Sequence, residues 1–94
     1  MNWYLYMVEA KDLSLYTGIT TNVKRRVMEH NGKKGAKALK GKIPVSLVYV
    51  ERYNNRSEAS KREQEIKDMK RAEKLKLIEE YTRVRSSTGR AVPS

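Results

Sequence analysis

Tyr16-Thr17-Gly18 closes an alternating apolar segment and runs directly into Asn22-Val23-Lys24-Arg25-Arg26-Val27-Met28-Glu29-His30, a basic stretch holding the only histidine of the 94-residue chain. A strand that turns into a helix of this composition reads as a phosphate-handling site. At 3.6 residues per turn, Arg26 and His30 stand one above the other on a single helix flank, beside the apolar pair Val23 and Val27. A cation and an imidazole that titrates near neutral pH therefore face whatever the preceding strand presents, and that strand presents Tyr16. Farther along, Glu63 lies four residues after Ala59 and three before Ile66, so it falls within a helical apolar stripe while Lys61, Gln64 and Glu65 face outward. A carboxylate on a buried face is unfavourable unless it is paired or holds a metal. An internal salt bridge to Arg62 or Arg26 and a metal-binding or catalytic role account for it equally well, and the residues alone do not separate the two.

Each of these signals also has a plain structural explanation. A histidine near a helix end is commonly stabilised by the helix dipole. Tyr4, Tyr6 and Tyr16 suit half-buried strand positions, and Gly18 can simply end a strand. Their combination points to chemistry: tyrosines on paired strands, an Arg/His helix flank and an inward glutamate within one short chain.

The elements that would position these groups follow from the patterning. Trp3 to Ala10 alternates, with Trp3, Leu5 and Met7 on one face and Tyr4, Tyr6 and Val8 on the other, which predicts a strand buried on both sides. Lys11-Asp12-Leu13-Ser14 is a turn, and Leu15 to Thr20 a second strand, so the two form an antiparallel hairpin. Asn22 or Thr21 caps a helix that runs to about His30 and ends at Asn31-Gly32. Lys33 to Lys42, with five lysines and two glycines, reads as a mobile basic loop. Pro44 to Tyr53 predicts a third strand, apolar on both faces and covered by helices. Asn55-x-x-Glu58 resembles a capping box opening a second helix with Ala59, Ile66 and Met69 inward. A third helix, Ala72 to Tyr81, buries Leu75, Ile78 and Leu77. The order is ββαβαα, an α+β domain over 1–82, followed by a polar basic tail over 83–94 whose composition is that of a disordered terminus.

Composition narrows the function classes. A chain of 94 residues supports one domain with a small core. The absence of cysteine removes disulfide frameworks, thiolate nucleophiles and thiolate metal sites, leaving oxygen and nitrogen ligands. No apolar run approaches the ~20 residues that span a bilayer, and Met1-Asn2-Trp3-Tyr4 lacks a basic segment followed by an apolar one. The expectation is a soluble cytoplasmic protein with no membrane partner. Net charge is +10 and unevenly spread: Asn22 to Lys42 carries eight basic residues and one acid, whereas Glu51 to Tyr81 has nine basic and eight acidic residues. A focused patch of this kind is the electrostatic footprint of a polyanion-binding surface, because neutralising phosphates releases condensed counterions. A merely solvated basic surface is the alternative.

With these residues in view, the chain resembles the GIY-YIG nucleases. Tyr4-Leu5-Tyr6 stands where the family has its first Gly-Ile-Tyr, with Tyr4 in place of the glycine, and Tyr16-Thr17-Gly18 stands where it has Tyr-Ile-Gly. Arg26 follows Tyr16 at the family's interval for its essential arginine, and His30 follows four residues later. Ser57 to Lys67 is similar to the family's glutamate-bearing helix and matches its carboxylate with Glu63. The likeness covers about residues 3 to 81 and is nearest to short stand-alone bacterial members.

The resemblance implies a small three-stranded antiparallel sheet flanked by helices and a phosphodiester hydrolase acting on nucleic acid, with DNA favoured over RNA. It implies Mg²⁺ or Mn²⁺ as cofactor with Glu63 as metal ligand, and no small-molecule cofactor. Tyr16 would activate the attacking water, Tyr6 would orient it or share its proton, Arg26 would donate to a non-bridging phosphate oxygen, and His30 would assist. Lys24, Arg25, Lys33, Lys34, Lys37, Lys40 and Lys42 would clamp the backbone without reading bases. A nucleic-acid-binding module of the same fold, for DNA or RNA and with little or no cleavage, is the alternative.

Overall fold

The computed structural model describes residues 2–32 and 41–90, with side chains through residue 84. The expected basic loop, apart from Gly41 and Lys42, and the last four residues of the tail lie outside the described residues. Strand β1 (Trp3–Glu9) is central, with β2 (Leu15–Thr20) on one side and β3 (Ser46–Tyr53) on the other, both antiparallel to it. Its apolar run follows from this position, since both edges are hydrogen-bonded and both faces are covered. Side chains alternate between two clusters. Tyr6 and Val8 pack with Ala10 and Val45 beneath helix α1 (Val23–Asn31). Leu5 and Met7 pack with Tyr49 and with Ile66 of helix α2 (Arg56–Lys67), joined by Leu77, Ile78 and Tyr81 of helix α3 (Arg71–Arg90). The sheet therefore separates a layer holding α1 from a layer holding α2 and α3.

Local chemistry sets the ends of these elements. In the hairpin turn Asp12 Oδ1 accepts from the Ser14 amide at 3.0 Å and from its hydroxyl at 2.6 Å, around Leu13 at φ 72°. Asn22 caps α1 by accepting from Arg25 N at 3.0 Å, and Asn55 caps α2 by accepting from Glu58 N at 2.9 Å. At the far end of α1 the Asn31 amide pairs with both main-chain groups of Val45: it donates to the carbonyl at 3.2 Å and accepts from the N–H at 2.7 Å. This pairing explains why β3 starts at Ser46 rather than at Pro44. Proline has no N–H to give the ladder and the Val45 groups are already taken by Asn31, so pairing begins with Glu9↔Ser46.

Two further boundaries differ from the sequence expectation. Leu75 is 41% exposed, and Leu77 takes the inward place with Ile78 and Tyr81. Helix α3 continues past Tyr81 through Arg90. The residues Ser86-Ser87-Thr88-Gly89 are weak helix formers, but no proline intervenes before Pro93 and extending an existing helix gains a hydrogen bond for each residue fixed. No helix among the described residues is long and apolar enough to cross a membrane.

Candidate active site

The site is built around Tyr6. The pleat of β1 turns this side chain toward α1, where it is 1% exposed and its hydroxyl lies 2.8 Å from Nε2 of His30, itself 1% exposed. Register places Val8 opposite Tyr16, so the Tyr16 ring comes to the same face. Its centroid is 5.4 Å from that of His30, edge-on at 72°, and 6.4 Å from that of Tyr6. The three rings thus form one cluster drawn from β1, β2 and α1.

Gly18 pairs directly with Tyr6 across the ladder, and close approach is what requires the glycine. A Cβ there would sit 2.8 Å from the Tyr6 hydroxyl oxygen and 3.0 Å from Cζ. The ring has no room to retreat, being buried and tied to His30. Gly18→Ala is therefore expected to displace the Tyr6 hydroxyl from His30 and to destabilise the fold by about 1–3 kcal/mol. A denaturant melt checks this, and wild-type stability would mean that the ring shifts freely.

Burial pushes the Tyr6 phenol up to about 12, with Arg26 acting in the opposite direction and the nearby Tyr16 and Glu63 adding to the rise. Burial, reinforced by the Arg26 guanidinium, holds the His30 imidazole below its ordinary range, partly opposed by Glu29. The pair is therefore a protonated phenol and a neutral imidazole at neutral pH. With the phenol protonated and the imidazole neutral, the contact is assigned as the Tyr6 O–H donating to Nε2, with the ring proton of His30 on Nδ1.

A depressed histidine pKa has a defined consequence for stability. As pH falls below about 6.5 the unfolded histidine binds a proton that the folded one resists, so stability present above that pH is lost on acidification through the lower folded value. His30→Gln should remove this component. In paired melts between about pH 5 and pH 7.5, the stability gap between wild type and variant should narrow toward the acid end. A gap that does not change with pH would show that His30 is not held neutral.

Arg26 is partly exposed on the flank above His30, as the helical spacing requires. Its Nη1 bonds Glu29 at 3.0 Å, and that hydrogen bond raises its pKa further. Glu63 is 21% exposed and reaches the Tyr6 phenol electrostatically from α2. Neither pairing considered from the sequence is made: Glu63 bonds Lys67 Nζ at 3.2 Å, Arg62 turns to Glu51, and Arg26 turns to Glu29. Among the described residues no group of three or more His, Cys, Asp or Glu converges as a metal cage. A single carboxylate partly open to solvent, balanced only by a flexible ammonium, still fits Mg²⁺, which keeps several waters and binds through one or two carboxylates plus substrate phosphate.

Lys24 and Arg25 are exposed on α1, with Arg25 at 3.8 Å from Glu29. Lys42 lies 3.6 Å from Asp12. Lys33, Lys34, Lys37 and Lys40 fall outside the described residues. Two contributors were not visible in the sequence: Asn31, whose partner is Val45, and Glu51, which receives Arg62. The asparagine reads only as a helix end before glycine, and neither pairing has a local signature.

Comparison with known proteins decides the family. A family model described as the GIY-YIG catalytic domain matches residues 2–76. The chain belongs to the GIY-YIG family. GIY-YIG domains are nuclease domains, so the general activity is nucleolytic and the substrate class is nucleic acid. A UPF0213 protein of Staphylococcus haemolyticus is 56% identical over 77 residues, covering 82% of this chain and 94% of the relative. A UPF0213 protein of Natronomonas pharaonis is 48% identical over 79 residues, 84% of this chain and 93% of the relative. Among solved structures, the solution NMR structure of a UPF0213 protein from Bacillus halodurans superposes with a TM-score of 0.56 at 42% identity, covering 84% of each chain. That of an E. faecalis protein does so at 0.60 and 33% identity, covering 87% of this chain and 88% of the other. The α+β architecture with a three-stranded antiparallel sheet is common to this GIY-YIG chain and its structural neighbours.

Proposed function

We propose that this chain is a divalent-metal-dependent phosphodiester hydrolase that cleaves DNA in a structure-selective or sequence-independent manner, using Tyr16, Arg26, His30, Tyr6 and Glu63. The observation that carries the proposal is the Tyr6–Tyr16–His30 cluster with Arg26 on the helix flank above it, together with a Glu63 carboxylate that acts electrostatically on the Tyr6 phenol. Binding phosphate alone would not call for a half-buried carboxylate next to the anion.

The roles follow from environment. Tyr6 is too buried and too weakly acidic to act as a base, and its task is to hold His30 neutral with Nε2 occupied. Tyr16, less buried and braced edge-on by His30, is the phenol that contacts and deprotonates the attacking water. Only the phenolate form of a tyrosine can take that proton. Arg26 donates to a non-bridging oxygen as negative charge grows there. Glu63 would hold the metal, whose charge would replace that of the Lys67 ammonium now paired with it. Mg²⁺ or Mn²⁺ bound there would stabilise charge on the scissile phosphate and the leaving oxygen.

A cleavage panel of single-stranded, duplex, flap and branched DNA and the matching RNAs, with Mg²⁺ or Mn²⁺ and Glu63→Ala as control, tests the proposal. Metal-dependent cleavage of DNA that disappears in the control supports it; binding without cleavage of any substrate refutes it in favour of a binding module. The same material tests the basic clamp. Replacing Lys33, Lys34 and Lys37 with alanine should weaken binding about equally across sequences and flatten log K against log salt by roughly 0.7–0.9 for each phosphate no longer neutralised. An unchanged slope in the salt titration would remove these lysines from the clamp.

A further inference from the structure

Arg62 and Glu63 are consecutive on α2 and so point about 100° apart, one on each side of the buried stripe Ala59–Ile66. The two sides end in different chemistry. Glu63 pairs with Lys67 and acts electrostatically on the Tyr6 phenol, whereas Arg62 is captured by β3. Its Nε donates to both Glu51 oxygens, at 3.0 and 3.3 Å, and its Nη2 donates to Oε2 at 3.2 Å. Tyr49 and Tyr53 share that face of β3 by alternation, and each donates its hydroxyl to the same carboxylate, Tyr53 at 2.6 Å. Tyr49 is braced in turn by the Tyr81 ring, 5.2 Å away on α3, and Arg62 Nη1 bonds Glu65 at 3.0 Å.

This network is held tightly. Burial acts to raise the Glu51 carboxyl, yet the hydrogen bonds from Arg62, Tyr49 and Tyr53 outweigh it and keep the group below its usual range. Holding α2 in place does not by itself call for such an arrangement. Largely buried charged pairs, such as this one with side chains 19% and 26% exposed, often stabilise no better than apolar pairs of similar volume. What a bidentate fork adds is direction. The only fully buried side chains of α2 are Ala59 and Ile66, and a methyl group and one branched chain leave the helix weakly constrained against rotation about its axis. A rotation of about 20° would move a side-chain end, roughly 6 Å from the axis, by about 2 Å. Displacements near 1 Å can lower a rate by ~10²-fold.

We propose that the Glu51–Arg62 clamp is a positioning device that sets the rotation of α2 and thereby aims the Glu63 carboxylate at the site between β1 and β2. The inference rests on Glu63 being the metal ligand. Arg62, Glu51, Tyr49 and Tyr53 touch neither substrate nor cation; they act through Glu63.

Glu51→Gln removes the charge and leaves one acceptor oxygen where the tyrosines now use two, while Arg62→Lys keeps the charge and removes the fork. Both are to be compared with Glu63→Gln in three measurements: Mn²⁺ affinity from water-proton relaxation, single-turnover cleavage at saturating Mn²⁺, and thermal melting. The clamp variants should weaken Mn²⁺ binding by about 10–100-fold and slow cleavage comparably, the range typical of groups that orient a metal ligand. Folded clamp variants with wild-type affinity and cleavage, beside an impaired Glu63→Gln, would overturn the positioning role and leave the Glu63 assignment standing. Unchanged Mn²⁺ affinity and cleavage in Glu63→Gln would overturn the ligand assignment, and the clamp's role with it. If neither clamp variant melts cooperatively, Tyr53→Phe, which removes one hydroxyl from Glu51, decides: weaker Mn²⁺ binding supports positioning and wild-type binding refutes it.

Discussion

Glu63→Ala is expected to abolish metal-dependent cleavage while leaving nucleic-acid affinity intact or slightly increased. Among the described residues no group of three or more His, Cys, Asp or Glu surrounds Glu63, so no ready-made cage takes over when its oxygens are removed. Electrophilic stabilisation by a metal contributes several kcal/mol to such a transition state, and its removal corresponds to a fall on the order of 10³-fold or more in the chemical step. Binding should persist if the proposed lysines and arginines make the backbone contacts, and removing a negative charge beside phosphate reduces repulsion. The fold should also persist, since the ion pair that disappears is with Lys67, which is itself largely exposed. Single-turnover cleavage and a binding isotherm measured in chelator separate the effects. Unfolding, or weakened binding with normal cleavage by the folded fraction, would make Glu63 a structural partner of Lys67 and nothing more.

Tyr16→Phe carries the second large effect. The substitution keeps the ring, its edge-on packing against His30 and its strand propensity, and removes one hydroxyl. The melting temperature should change little. Cleavage should fall by on the order of 10²–10⁴, the usual contribution of a positioned general base. Tyr6→Phe provides the contrast, because the hydroxyl it removes is buried against His30 and the buried acceptor is then left without that donor. That variant should lose stability as well as activity. Near wild-type cleavage by Tyr16→Phe in a single-turnover assay, with an unchanged melt, would refute the chemistry proposed for Tyr16.

The site could be read in part because its members lie on regular elements whose periods fix direction. Alternation along Trp3 to Val8 sends Tyr6 to one face and Leu5 and Met7 to the other, and the two clusters follow that division. The four-residue interval from Arg26 to His30 predicts a shared flank, and the helix provides it. Glu63 was visible as an anomaly for the same reason, because a carboxylate between Ala59 and Ile66 breaks a helical stripe. Its partner was not visible, since Arg62, Arg26 and Lys67 all offer a cation and only the packing of α2 decides which one is reached.

What the sequence by itself determined was therefore local and periodic: the order of six elements, the caps at Asn22 and Asn55, the face of each strand residue and the types of group available for phosphate chemistry. Tertiary structure alone decided how far those groups are from one another and in what protonation state they stand. The 2.8 Å contact between Tyr6 and His30 joins residues 24 positions apart, and Gly18 is needed only because register sets it against that ring. Glu51 meets Arg62 across a sheet-to-helix interface, which no spacing rule encodes. Side-chain direction follows from backbone geometry over a few residues, whereas burial depends on everything packed around a group. Because burial is what raises the Tyr6 phenol and depresses the His30 imidazole, the acid-base character of the site exists only in the folded chain.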